Sequence, residues 1–437
     1  MLVREMQSRV FSWLWAVALL LDFLCQPFGG QPYEVMTLLL AAFFACRPDL
    51  GWVFLVVCVA DLTHFLIQAP WTPNHAVLRA FVDLVVLGHF FLRGKPGALE
   101  ASKPTIRLLL ILVYGISVFH KLNHDFLNPE VSCASQMLTD GALWLRLPSP
   151  PPILRAISIW GALACEMLIP ILLLLPRSYP LALWLGLAFH SILALHPHPG
   201  IYSFSGLVIA ILSLWVPEEQ WSDFIARFGE KSELLLRVTA RLAVIFATCA
   251  VLLEPHPRWT FRIGLAVWFS LAAAGLLTLF RLRRPGSAER QTLFRLGWAP
   301  SILLLVFALN GFAPYMGLHT VRVFSMFSNL RTEGGAGNHL WISTDKQWFS
   351  FQSDLVKVLE STDPRLSELA MKEEMLVFFE LQRWAQSAPK PFDVKVRRRD
   401  GSITTETDAT LPPLNPILRK FLFFRAVNKT GPSKCKW

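Results

Sequence analysis

Charge is what this sequence has least of: Lys, Arg, Asp and Glu make up 16% of its 437 residues, where soluble domains carry about a quarter. Set beside 54% hydrophobic residues, that scarcity excludes an ordinary soluble protein. The chain reads instead as a polytopic α-helical membrane protein. Adjacent histidine pairs are missing, which argues against a multi-box di-iron desaturase. A Gly-rich phosphate loop and a G-x-S-x-G elbow are missing too, which argues against nucleotide use and serine hydrolysis. No internal repeat or low-complexity tract occurs. Cys25, Cys46, Cys58, Cys165 and Cys249 fall in apolar runs without metal-ligand spacing and read as inert packing residues. Cys133 and Cys435 lie in polar segments. No metal site is expected, although a bis-histidine haem between spans, for example on His64 and His89, stays open.

A net charge of +10 raises the question of nucleic acid, but the basic residues sit between apolar runs and act as topology signals, so no nucleic-acid partner is expected. About eleven runs are candidates for crossing a bilayer: near 11–26, 34–46, 51–68, 76–92, 106–120, 153–175, 180–195, 202–216, 238–254, 262–280 and 294–313. The second is short enough to be re-entrant, so about nine to eleven spans are expected. Arg4 and Arg9 precede the first run and no small-residue cleavage site follows it, so it reads as a retained span. With the N-terminus cytoplasmic, Arg47, then Arg93, Lys95 and Lys103, then Arg177, then Arg227, Lys231 and Arg237, then Arg281, Arg283, Arg284 and Arg290 all fall on inside loops. Residues 1–314 thus form a transmembrane domain, and residues 315–437 a small α+β domain on the outer side. In that tail, 316–342 alternates and contains Gly334 and Gly335, which predicts strand, turn, strand. Thr362 or Asp363 before Pro364 predicts a helix to Gln386. Asp400-Gly401 predicts the turn of a hairpin. The sequon at Asn428-Lys429-Thr430 is too common to carry an argument.

Ionisable residues inside spans are costly and default to functional candidates. Asp61, His64, Asp83, His89, Glu166 and His190 qualify; several, Asp83 and His89 above all, also have the plain reading of residues paired along a polar seam, whereas His190 has no charged partner near in sequence. The run Leu108–Asp125 ends in His120, Lys121, Asn123, His124 and Asp125. Lys121 there is either a snorkelling anchor, its ammonium among lipid headgroups, or a buried group whose desolvation favours a free amine able to take a proton. The topology places Asn74, His75, Lys121, His190 and Arg331 toward the outer face.

These residues occur in a pattern that resembles a known family. VYGISVFHKLNHDFL resembles the catalytic-lysine helix of vitamin K-dependent γ-glutamyl carboxylase and its bacterial relatives, the horizontally transferred transmembrane (HTTM) family. Trp71-Thr72-Pro73-Asn74-His75 is similar to the family's Asn-His pair, ALWLGLAFHSILAL to its later histidine helix, and FSMFSNLRTEG to its M-x-x-x-x-R motif. The four blocks keep family order across most of residues 60–335.

The resemblance implies an integral membrane enzyme that couples oxygenation of a reduced, vitamin K hydroquinone-like quinone to removal of a γ-proton from a peptide glutamate and addition of CO2. O2 and CO2 are then co-substrates. It further implies Lys121 as base, His75 with Asn74 holding the quinol, His120 beside it, His190 orienting or stabilising the intermediate, and Arg331 stabilising negative charge at the outer mouth. The implied partners are the bilayer, the lipid-soluble quinol and a peptide or protein arriving from outside, and the implied location is a bacterial inner membrane. Departures from the animal enzyme are His120 before the key lysine, Asn329 two residues before the arginine, and a much shorter tail. A quinol-dependent oxidase or epoxidase without carboxylation, and a non-enzymatic scaffold or transporter on the same fold, are the alternatives. Since the topology puts Cys133 and Cys435 on the oxidising side, the hypothesis follows that they join and tie the outer domain to the bundle.

Overall fold

A computed structural model describes residues 6–93, 97–175, 177–226, 230–253, 257–281, 296–428 and 431–435. Arg4, Lys95, Arg227, Arg283, Arg284 and Arg290 of the topology argument, and Lys429 and Thr430 of the sequon, lie outside them.

Apolar runs become helices because a chain without water must satisfy its backbone internally. The first five are α1 (Met6–Cys25), α2 (Pro32–Cys46), α3 (Gly51–Gln68), α4 (Asn74–Arg93) and α5 (Ala98–Lys121). Two short helices, α6 (His124–Leu127) and α7 (Cys133–Trp144), lead to α8 (Pro152–Leu174), α9 (Tyr179–Leu193) and α10 (Pro199–Leu212). Then come α11 (Glu218–Ala226), α12 (Glu230–Leu253), α13 (Pro257–Arg281) and α14 (Trp298–Met316). Several starts are set by proline at the first turn, as in α2, α8, α9 and α10, where its missing N–H costs nothing. Each expected apolar run falls on one helix, except that the run 202–216 continues past α10 into a 3-10 turn at Ser213–Trp215; residues 254, 294 and 295 of these runs lie outside the described ones.

Six of these helices, α1, α3, α4, α5, α8 and α14, are long and apolar enough to cross a membrane, and a seventh results if α10 and α11 count as one bent span. Nine to eleven were expected; among the described residues, three of the other helices fall short for a physical reason. Helices α2 and α9 have 15 residues each, which at about 1.5 Å per residue falls short of a hydrocarbon core of about 30 Å. The α10–α11 pair bends by 107° at Pro217. Helix α1 is the central one: it packs on α10, α2 and α13, and Phe11, Trp15, Leu19 and Leu21 on it are fully buried. Outward faces stay apolar instead, as with Ile153, Ile157 and Trp160 on α8, the pattern expected against lipid rather than water.

A four-stranded antiparallel sheet follows, β1 (Leu355–Ser361), β2 (Met375–Val377), β3 (Asp393–Arg397) and β4 (Ile403–Thr407), in the order β2-β1-β3-β4. The β3–β4 hairpin is the expected one, with Val394 opposite Glu406 and Gly401 at φ +87° in its turn. Helices α15 (Pro364–Met371), α16 (Phe378–Ala385) and α17 (Pro416–Phe421) complete the tail. Val356, Val358, Leu366, Leu381, Val394 and Val396 form its core.

Two expectations for the tail are corrected. The helix expected over 363–386 starts at the Asp363 cap, whose carboxylate accepts from the Arg365 and Leu366 amides, but stops at Met371. Glu373 takes a left-handed φ of 55°, and the chain re-enters the sheet as β2 before α16 begins. The strand, turn, strand expected over 316–342 is no hairpin. Arg322, Phe324, Phe327 and Asn329 all take positive φ, conformations that interrupt a strand. Its apolar alternation buries Val323, Phe324 and Leu330 against the bundle instead. Gly317 ends α14 at φ +84°, where a Cβ would meet the Phe349 carbonyl at 2.0 Å.

Candidate functional site

Tyr114, Ser117 and Lys121 recur at spacings of three and four on α5 and so share one face. On α8, Ile159, Leu163 and Glu166 repeat that spacing, and the two helices pack together. Lys121 is 5% exposed, which rules out the snorkelling anchor. Its Nζ lies 2.8 and 3.0 Å from the two Glu166 carboxylate oxygens and 2.6 Å from Ser117 Oγ. Ser117 in turn donates to Glu166 Oε2 at 3.2 Å. Three acceptors match the three donors of an ammonium. The amine expected to be uncharged therefore has a carboxylate partner that a lone-lysine reading did not foresee. Phe126, whose ring centre is 5.9 Å from Nζ, joins Ile159, Leu163 and Cys133 in an apolar wall beside the pair.

His190 reaches the same face of α5. Its Nε2 lies 3.0 Å from the Tyr114 hydroxyl and its Nδ1 2.9 Å from Ser205 Oγ on α10. All three side chains are buried. A neutral imidazole offers one donor and one acceptor, so one hydroxyl donates to it and the other accepts. Helices α5, α8, α9 and α10 thus bring Lys121, Glu166, Ser117, Tyr114, His190 and Ser205 together.

His75 belongs to a different set. Its Nε2 is 2.8 Å from Asp22 Oδ1, and Arg79 donates to Asp22 at 2.7 Å and to Asp61 at 2.6 Å. Asp83 adjoins Asp61 and Cys58. Among the described residues no hydrogen bond joins any two of His75, Lys121 and His190; His190 is linked to the Lys121 face of α5 through Tyr114, and His75, on α4, pairs with Asp22. Asn74, His120 and Arg331 fasten the 316–342 segment. Asn74 Oδ1 accepts from the Phe324 amide at 2.6 Å. His120 pairs with the Tyr315 hydroxyl and the Val323 carbonyl, each at 2.9 Å. Arg331 donates to the carbonyls of Ala336, Asn428 and Gly431. None of the three contacts the Lys121 amine through a hydrogen bond.

Of the two histidines of the haem alternative, His64 stacks on Phe23 and His89 Nδ1 is 2.9 Å from the Val85 carbonyl of its own helix. Among the described residues no three His, Cys, Asp or Glu side chains gather as a metal site. Cys133 and Cys435 are bonded, with their Cα atoms 4.8 Å apart, and this ties the C-terminal end to α7. Sequence reading missed Ser117, Tyr114, Asp22, Arg79 and Ser205. Helical spacing back from Lys121 picks out the first two, and charge within an apolar run picks out Asp22 and Arg79. No family model, curated protein or solved structure matches this chain.

Proposed function

We propose that this is an integral membrane acid–base enzyme of the vitamin K-dependent γ-carboxylase type, with the Lys121–Glu166 pair as its proton-accepting centre. The observation that carries the reading is the buried Lys121 amine on Glu166 and Ser117 beside an apolar wall. The chemistry of the place suits a lipid-soluble quinol: Phe126, Ile159 and Leu163 are apolar as its ring is, and the amine is a partner for its hydroxyl. Oxidised by O2, a bound reduced quinone supplies the base that takes a γ-proton from a peptide glutamate, which then adds CO2. In this reading Nζ of Lys121 takes the quinol proton, and the Glu166 carboxylate holds the ammonium that forms. Ser117 orients the amine. His190, with one ring nitrogen on Tyr114 and the other on Ser205, positions the Tyr114 hydroxyl on the face of α5 that carries Lys121. Dry surroundings favour these transfers by excluding competing water. The basic residues between helices support a cytoplasmic N-terminus and an extracytoplasmic tail, and the resemblance to the HTTM family supports a bacterial inner membrane.

The full chain in lipid nanodiscs, given a reduced vitamin K-type quinone, oxygen, labelled bicarbonate and a glutamate-rich peptide, tests this. Label in the peptide with quinone oxidation is expected, and Lys121→Met should abolish both. Oxidation without label would replace carboxylation by a quinol oxidase or epoxidase. A folded chain with neither activity overturns the enzymatic reading. The saturation of Nζ by three acceptors favours a second reading, in which the pair pins α5 to α8 in a scaffold or transporter.

A further inference from the structure

An open cavity of about 430 Å³ lies between the end of α7 and the turn joining α9 to α10, lined by Asp140, Leu143, Trp144, His196, Pro197 and His198, among others. The amides of His198 and Gly200 lie 3.2 Å from the Nδ1 atoms of His196 and His198, which accept from them. A nitrogen that accepts carries no proton, so both imidazoles are neutral in this arrangement. Burial also pushes both below the ordinary imidazole range, His198 to about 4. Asp140, 3.6 Å from His196 Nε2 and with its side chain 38% exposed, therefore gives the cavity a net negative charge. Trp144 presents an exposed ring, and Arg146 stands exposed two residues further on. Helix α8, which packs on α7, exposes Ile153, Ile157 and Trp160 on its outward face.

We propose that this cavity binds the headgroup of a zwitterionic aminophospholipid. The ammonium sits on Asp140 and the Trp144 ring, the phosphate faces Arg146, and an acyl chain follows the apolar face of α8. A carboxylate beside an indole suits a cation, and tryptophan at the ends of apolar helices suits the headgroup level. The site rests on the chain lying in a bilayer, not on its chemistry, and the two can fail separately.

Native mass spectrometry of the full detergent-purified chain, with phosphatidylethanolamine and phosphatidylglycerol added at equal mole fraction, tests it. We expect roughly fivefold more retained phosphatidylethanolamine, the size of one partly exposed charge pair. Asp140→Asn and Trp144→Ala should each bring the two lipids toward parity, with helix content by circular dichroism unchanged. Equal retention by the wild type, or a preference that survives Asp140→Asn, overturns the proposal. Displacement of the lipid by a lysine-rich peptide would overturn the lipid assignment.

Discussion

The Lys121 amine and the Glu166 carboxylate, 45 residues apart in sequence, meet at 2.8 Å with their side chains 6% and 12% exposed. Each member makes the other tolerable: a charge buried alone costs several kcal/mol, and a paired one far less. The pair holds α5 to α8 and, in the proposed reaction, moves a proton; the two roles respond differently to substitution.

Removing one partner strands the other. Lys121→Met and Glu166→Gln are each expected to destabilise the fold by about 3–5 kcal/mol. The double variant Lys121→Met/Glu166→Gln leaves no buried charge and should recover most of that loss. Turnover, by contrast, should be absent in Lys121→Met and in the double variant alike. Thermal unfolding in detergent, read alongside quinone oxidation, checks both. Additive stability losses would show that the two side chains are not coupled.

Arg79 holds Asp22 at 2.7 Å and Asp61 at 2.6 Å, so it is the cation for two carboxylates on different helices. Arg79→Gln should cost about 3–5 kcal/mol, more than a typical substitution within a span. Adding Asp61→Asn removes one stranded charge and should return part of the stability. A double variant as unstable as the single one would mean that Asp61 already carries a proton, shared with neighbouring Asp83.

How much of this was legible depended on the range of the interaction. Helix positions follow from apolar run length, a local property, and Lys121 and His190 stood out as costly residues in apolar surroundings. The Glu166 partnership was not legible, because it depends on how α8 is rotated against α5. The 316–342 segment misled for a related reason. Its alternation of Val321, Val323 and later apolar residues looks like a strand, yet the positive φ at Arg322 and Phe324 is imposed by docking on the bundle, including the Asn74 bond to the Phe324 amide. Asn74 and Arg331 carried a motif's identity and proved to hold loops.

The Cys133–Cys435 bond closes a loop spanning 302 residues. Cys133→Ser should lower stability by about 2–5 kcal/mol and free the end that Asn329 holds through the Ser433 carbonyl at 2.8 Å. Peptide mapping under non-reducing conditions should recover one cross-linked peptide containing both residues. Full alkylation of both thiols without reductant would remove the bond from the native protein.

Acid should loosen the segments that follow α14 and join α9 to α10. Burial and the nearby Arg322 lower the His319 imidazole from 6.5 to about 3, and burial lowers His198 from 6.5 to about 4. His319 Nε2 lies 3.2 Å from Asn310 Oδ1. Both groups are depressed, so between pH 6.5 and these values the unfolded chain binds more protons than the folded one. The stability they contribute is fully present above pH 6.5 and is lost as pH falls through that window. The slope approaches about 1.4 kcal/mol per pH unit for each such proton, less where solvent screens His198. Unfolding temperature followed from pH 7 to pH 4 should therefore drop, and His319→Gln should flatten the drop by removing one titrating group. An unchanged profile in His319→Gln would mean that His319 takes its proton as readily folded as unfolded.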